Sequence, residues 1–157
     1  MSKQFIPTNY KLQSVKTGKI FEDKGWMLEA PDETEPTLIR AIYEKTQIEV
    51  KDNSWGLYKF ADWLPISRTL KGSSAPVTYK SEGLAKELGL KNLWITFSGY
   101  WPEKNATFNT CSFKGTEAYS VCGRMTPEMD NVLVVASAGN TSRSFAKVCS
   151  DNNIPLL

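Results

Sequence analysis

The sequence predicts an α/β protein, with parallel strand–helix–strand units over most of its length and a small β-rich segment at the N-terminus. Three observations carry this. Residues 93–99 alternate like a strand, Leu93, Ile95 and Phe97 on one face and Trp94, Thr96 and Ser98 on the other. Residues 132–136 form a continuous apolar run suited to a strand buried on both faces. The stretches 115–125 and 141–150 carry helical spacing, the second placing Phe145, Val148 and Cys149 in register.

In chain order, residues 9–14 read as extended and 16–19 as a turn, and Gly25 leads into Trp26, Met27 and Leu28, so the two halves are expected to pair as a hairpin within residues 1–35. Residues 31–36 form an acidic linker bounded by Pro31 and Pro36. Leu38, Ala41 and Ile42 then fall on one helical face, which predicts a short helix. Residues 51–75 are irregular and aromatic (Trp55, Tyr58, Phe60, Trp63) and suit a segment that wraps a neighbouring surface, with 71–75 as a loop. Ser81 is placed to cap a helix bearing Leu84, Ala85 and Leu88, and Gly89 to end it. A loop over 100–113 precedes the 115–125 helix, and residues 154–157 open a further strand. The final unit is expected to be cut in that strand.

Composition excludes several function classes. The 157 residues are 41% hydrophobic and 23% charged, an ordinary globular balance, and 19 basic against 17 acidic side chains leave a net charge of +2. The basic residues are scattered, so neither nucleic acid nor an anionic membrane is indicated. The N-terminus lacks a signal-peptide pattern and no apolar run approaches the roughly 20 residues of a bilayer span, so a cytoplasmic location is expected. Cys111, Cys122 and Cys149 show no CxxC spacing. With no histidine in the chain, the usual general base, metal ligand and triad partner are missing together. Chemistry must therefore rest on Lys, carboxylates, hydroxyls, thiols or a cofactor.

Two features point to chemistry. Lys114, in the run Asn109, Thr110, Cys111, Ser112, Phe113, Lys114, stands at a predicted helix start beside an apolar residue. Such an amine, if partly desolvated, is suited to a Schiff base with an aldehyde; a solvated surface lysine is the competing reading. The loop Ser137, Ala138, Gly139, Asn140, Thr141 lies between an apolar run and a helix, the arrangement that presents backbone N–H groups to a carboxylate or phosphate. Its competing reading is a plain helix cap at Asn140 or Thr141 with Gly139 in the turn. A dinucleotide fingerprint fits poorly, since Gly139 is the loop's only glycine.

Residues 76–93 (Pro-Val-Thr-Tyr-Lys-Ser-Glu-Gly-Leu-Ala-Lys-Glu-Leu-Gly-Leu-Lys-Asn-Leu), continuing into Thr110, Cys111, Ser112, Phe113 and Lys114 and the loop 137–141, resemble the fold type II pyridoxal-phosphate enzymes of the threonine synthase family. Within that family, Gly99, Tyr100, Trp101, Pro102 and Glu103 ahead of Lys114 look most like the cysteate synthase branch. The resemblance covers most of residues 36–157 and implies a tryptophan synthase β-like fold, of which this chain holds the N-terminal portion. It implies that Lys114 holds pyridoxal 5'-phosphate and moves the substrate Cα proton. Asn140 would bond the cofactor's ring hydroxyl, and Ser137, Gly139, Asn140 and Thr141 would grip the substrate carboxylate. Ala138 replaces a hydroxyl residue of some relatives. The implied reaction is β-replacement, O-phospho-L-serine plus sulfite giving L-cysteate and phosphate for coenzyme M synthesis, with phosphohomoserine to threonine as the alternative.

Two departures accompany the resemblance. Residues 12–31 contain no cysteine, Ser14 and Thr17 standing where zinc ligands would be expected, so no structural metal is predicted. The family's cofactor-phosphate loop and the residue facing the pyridine nitrogen are expected beyond residue 157. A complementing C-terminal portion, or a homo-oligomer of a complete enzyme, is therefore the expected partner. A non-catalytic relative acting as a binding module, and an aromatic ligand-binding module built on Trp55, Trp63, Trp94, Tyr100 and Trp101, are the readings of other classes.

Overall fold

The computed structural model describes residues 9–25, 27–51, 54–126 and 128–157, so the expected strand start at Trp26 lies outside the described residues. Near the N-terminus, β1 (Tyr10–Ser14) pairs antiparallel with β2 (Ile20–Phe21) and with β3 (Ile39–Tyr43), giving the order β2-β1-β3. The β1–β2 turn closes as expected: Gly18 sits at φ 74°, its N–H donating to the Ser14 carbonyl at 3.0 Å. The helix expected around Leu38 is instead β3, in register from Tyr10 opposite Tyr43 to Ser14 opposite Ile39. Ile39, Ile42 and Tyr43 are β-branched or aromatic and favour a pleated surface, and a long-range ladder decides what a three-residue helical spacing could not.

Residues 54–75 wrap the chain's own helices. A 3-10 helix, Gly56–Trp63, buries Tyr58 completely, and Tyr58, Ala61, Ile66 and Leu70 join the core formed by α2 (Lys114–Arg124) and α3 (Asn140–Asn152). Tyr58 meets Tyr119 edge-on, ring centroids 6.4 Å apart, and its hydroxyl accepts the Leu70 N–H at 3.0 Å. Burial raises the Tyr58 hydroxyl above its ordinary range. Gly56, at φ 57°, is required here because an added Cβ would lie 2.5 Å from the Ser73 backbone.

The middle of the chain is an antiparallel pair, β4 (Val77–Lys80) with β5 (Trp94–Phe97), joined through the six-residue α1 (Glu82–Glu87). Gly89 ends α1 as expected: it takes φ 66°, its N–H reaches the Lys86 carbonyl, and the Leu90 N–H reaches that of Ala85. Ser81 precedes the helix but makes no side-chain cap bond. The 100–113 region, expected as a loop, contains a second small hairpin, β6 (Tyr100–Trp101) with β7 (Ala106–Thr107), turned by Asn105 at φ 60°.

Parallel geometry is confined to the C-terminal end, and 132–136 is an extended segment rather than a strand buried on both faces. Leu133 and Leu156 form a parallel bridge across α3; the Leu133 N–H reaches the Pro155 carbonyl at 3.0 Å and the Leu157 N–H reaches that of Leu133 at 2.8 Å. Leu133 is buried, whereas Val132 and Val134 are 55% and 66% exposed, because only one face meets the helices. The thirteen-residue α3 is long enough for the crossover a parallel return needs. Its buried side chains Phe145, Val148 and Cys149 are the ones the spacing named.

A buried charge cluster ties the N-terminal sheet to the end of α2. Arg124 Nη2 lies 2.8 Å from Asp23 Oδ2, the Tyr10 hydroxyl donates to the same oxygen at 2.8 Å, and the Met27 N–H donates to Asp23 Oδ1 at 3.2 Å. Burial alone would raise the Asp23 carboxyl, but these hydrogen bonds outweigh it and hold the group below its ordinary value. Among the described residues, no helix is long and apolar enough to cross a membrane.

Candidate functional site

The segment before α2 is shaped by its own backbone and by one glycine. Cys111 takes φ 51°, a left-handed conformation that turns the chain toward the helix, and its N–H reaches the Phe108 carbonyl at 3.0 Å. The Ser112 hydroxyl accepts the Lys114 N–H at 3.2 Å and its carbonyl accepts that of Gly115 at 3.1 Å, so Ser112, one residue ahead of the cap position at Phe113, satisfies the first N–H groups of α2. Phe108, 2% exposed, packs where a Cβ on Gly115 would be, 2.9 Å from its ring.

Lys114 is thus the first residue of α2. Its Nζ lies 2.8 Å from Glu117 Oε2 and 5.3 Å from the Phe113 ring centroid, and the side chain is 35% exposed. The amine is therefore held by a carboxylate one turn along, not seated in the apolar pocket that its position beside Phe113 suggested; Phe113 itself points to solvent, 62% exposed.

In the loop 137–141, residue 139 occupies the cap position of α3, and no side chain caps the helix, so neither Asn140 nor Thr141 acts as the plain cap. The Ser137 hydroxyl accepts the Gly139 N–H at 3.3 Å, and the Gly139 carbonyl accepts from the Arg143 N–H and the Ser142 hydroxyl. A Cβ at Gly139 would meet nothing within 4 Å; the space it faces is open. This loop borders a groove of about 380 Å³ lined by Ala138, Gly139, Asn140, Ser142, Arg143 and Ala146. The uncapped helix start, the open face of Gly139 and the Asn140 amide form a donor set that fits an anionic or phenolic oxygen. Lys114, Ser137 and Thr141 are not among the residues that line this groove.

The residue that the sequence reading missed is Arg143. Its Nη2 donates to the Asn140 Oδ1 at 2.8 Å and to the Thr110 carbonyl at 2.7 Å, joining the start of α3 to the segment that ends in Lys114. One signal was present: a cation in the first turn of a helix opposes the helix dipole, and such placements need another reason. Among the described residues, no group of three or more His, Cys, Asp or Glu is placed to hold a metal.

Comparison with known proteins gives a consistent result. The chain is 48% identical over 134 residues, 84% of its length, to cysteate synthase of Methanococcoides burtonii. It is 42% identical over 137 residues, 87% of its length, to that of Methanosarcina mazei, and 41% identical over 150 residues, 96% of its length, to that of Methanospirillum hungatei. The chain spans about a third of the length of these curated relatives, 31%, 32% and 35% respectively. No family model matches the chain. No solved structure matches it.

Proposed function

We propose that this chain supplies the lysine and the carboxylate-gripping loop of a pyridoxal-phosphate-dependent cysteate synthase, converting O-phospho-L-serine and sulfite to L-cysteate and phosphate. The observation that carries the reading is sequence identity of 39–48% to proteins named cysteate synthase over most of this chain. The uncapped, open loop at the start of α3 supports it, because that loop is shaped for an anionic group.

Lys114 would hold the cofactor through its amine and, once released, take the proton from the substrate Cα. The cofactor, when bound, supplies an electron sink for the carbanion at that carbon. Asn140 would donate its side-chain N–H to the cofactor's ring hydroxyl oxygen. Ser137, Gly139, Asn140 and Thr141 would grip the substrate carboxylate, with the Asn140 and Thr141 N–H groups at the start of α3 as the backbone donors, because the Ser137 and Gly139 N–H groups are held by the Val135 carbonyl and the Ser137 hydroxyl; Ala138 offers no hydroxyl, so one hydrogen bond of other relatives would be absent. Replacement at Cβ breaks the C–O bond to phosphate and forms a C–S bond to sulfite, with no net oxidation or reduction. Glu117 must yield its 2.8 Å contact with Lys114 for the amine to react, which makes Glu117 a natural holder of the resting lysine. In the fold type II reading, the phosphate grip comes from polypeptide other than the residues described here.

A chimera tests this directly: residues 1–157 replace the matched third of the Methanococcoides burtonii enzyme. The expected result is L-cysteate from O-phospho-L-serine and sulfite, abolished by Lys114→Ala. A folded chimera that makes threonine from phosphohomoserine, or no cysteate, contradicts the proposal.

A further inference from the structure

We infer that Arg143 is a positioning residue that fixes the orientation of the Asn140 amide and clamps the start of α3 to the segment carrying Lys114. This deepens the reading above and rests on it for the ligand. An asparagine amide can present either its oxygen or its N–H₂ to a groove, and the two have opposite hydrogen-bonding character. Arg143 settles the choice. A guanidinium only donates, so the Asn140 oxygen must face it, and the 2.8 Å contact does so. The Asn140 N–H₂ is then left as the donor for a ligand oxygen.

The same Nη2 binds the Thr110 carbonyl at 2.7 Å, four residues before Lys114. Both contacts are charge-assisted and short. One side chain therefore sets the distance between the two halves of the site and the polarity of the amide between them. A lysine could reach one of these acceptors as a point charge but lacks the planar fork that holds a fixed direction. Arg143 lines the groove beside Ala138 and Gly139, so its position is tied to the site and not to the helix–helix core. It is exposed, which separates its role from folding.

The test uses the chain with selectively ¹⁵N-labelled asparagine, the Asn140 side-chain amide being assigned by its loss in Asn140→Ala. In Arg143→Gln that amide resonance is expected to shift while the thermal midpoint stays unchanged, with Arg143→Lys recovering part of the shift. Pyridoxal phosphate affinity of the chimera that carries residues 1–157 in the Methanococcoides burtonii enzyme, read by titrating the visible absorbance, is expected to weaken roughly tenfold in Arg143→Gln. An unchanged Asn140 amide in Arg143→Gln overturns the inference, as does undiminished cofactor affinity when the chimera retaining Arg143 binds at Lys114. If the chimera of residues 1–157 in the Methanococcoides burtonii enzyme takes up no cofactor at Lys114, the proposed function fails instead. The amide comparison alone then decides the role of Arg143, a shift supporting it and no shift overturning it.

Discussion

Gly115 illustrates how one missing methyl shapes the approach to Lys114. Helix propensity alone predicts that Gly115→Ala would stabilise α2 by about 1 kcal/mol. The Phe108 ring, 2.9 Å from where that Cβ would stand and buried, cannot give way cheaply, and overpacking costs about 1–3 kcal/mol. Urea unfolding should therefore show Gly115→Ala to be less stable than wild type; a stabilised variant would mean that Phe108 is free to move. Asp23 gives the pH dependence. Its folded carboxyl is held below the ordinary value of 3.8, so its contribution is fully present above that value and lost as pH falls through the lower, folded one. Stability measured from about pH 6 to about pH 2 should fall more steeply in wild type than in Asp23→Asn, which has no such proton to bind. Lys114 and Asn140 could be singled out as candidates in the sequence because each sits in a short contiguous motif. The Arg143 contact to Thr110 and the fit of Phe108 over Gly115 were not, since both join residues that only the folded chain brings together.

At the level of elements, the helix pair α2–α3 was readable because apolar spacing at 3.6 residues persists over several turns in each. Gly89 was readable for a similar reason, since a left-handed stop has a local cause. β3 was misread because three apolar positions fit a helix and a strand equally, and the β1 ladder that decides is remote in sequence. The apolar run 132–136 showed its extended form but not its coverage. Exposure depends on what packs on each face, and here the helices cover Leu133 alone of the first three residues. The α2–α3 interface also sets thiol chemistry. Cys122 and Cys149 are buried with their sulfurs 3.9 Å apart, and the hydrogen bond shared with Cys149 together with burial pushes the Cys122 thiol well above its usual range. Cys111 is exposed. Native treatment with iodoacetamide should therefore label Cys111 and spare the other two, whereas denatured protein should take up label at all three; early labelling of Cys122 would show that the helix pair opens.

For the molecule as a whole, the described residues leave an apolar edge uncovered. Val132, Val134 and Leu157 are 55%, 66% and 81% exposed along one side of the parallel pair. Light scattering on the purified chain should show concentration-dependent association, reduced in Val134→Thr; a clean monomer at all concentrations would mean that this edge is not adhesive. The resemblance to cysteate synthase drawn from residues 99–103 ahead of 110–114 is matched by relatives of that name over most of the chain, which itself spans about a third of their length. The central claim is that Lys114 is the cofactor lysine. Its most direct measurement is incubation of the chimera carrying residues 1–157 with pyridoxal phosphate, followed by borohydride reduction and peptide mapping by mass spectrometry. The account predicts one pyridoxyl group, located on Lys114 and absent from Lys114→Ala. A label spread over exposed lysines, or fixed on another residue, would contradict it.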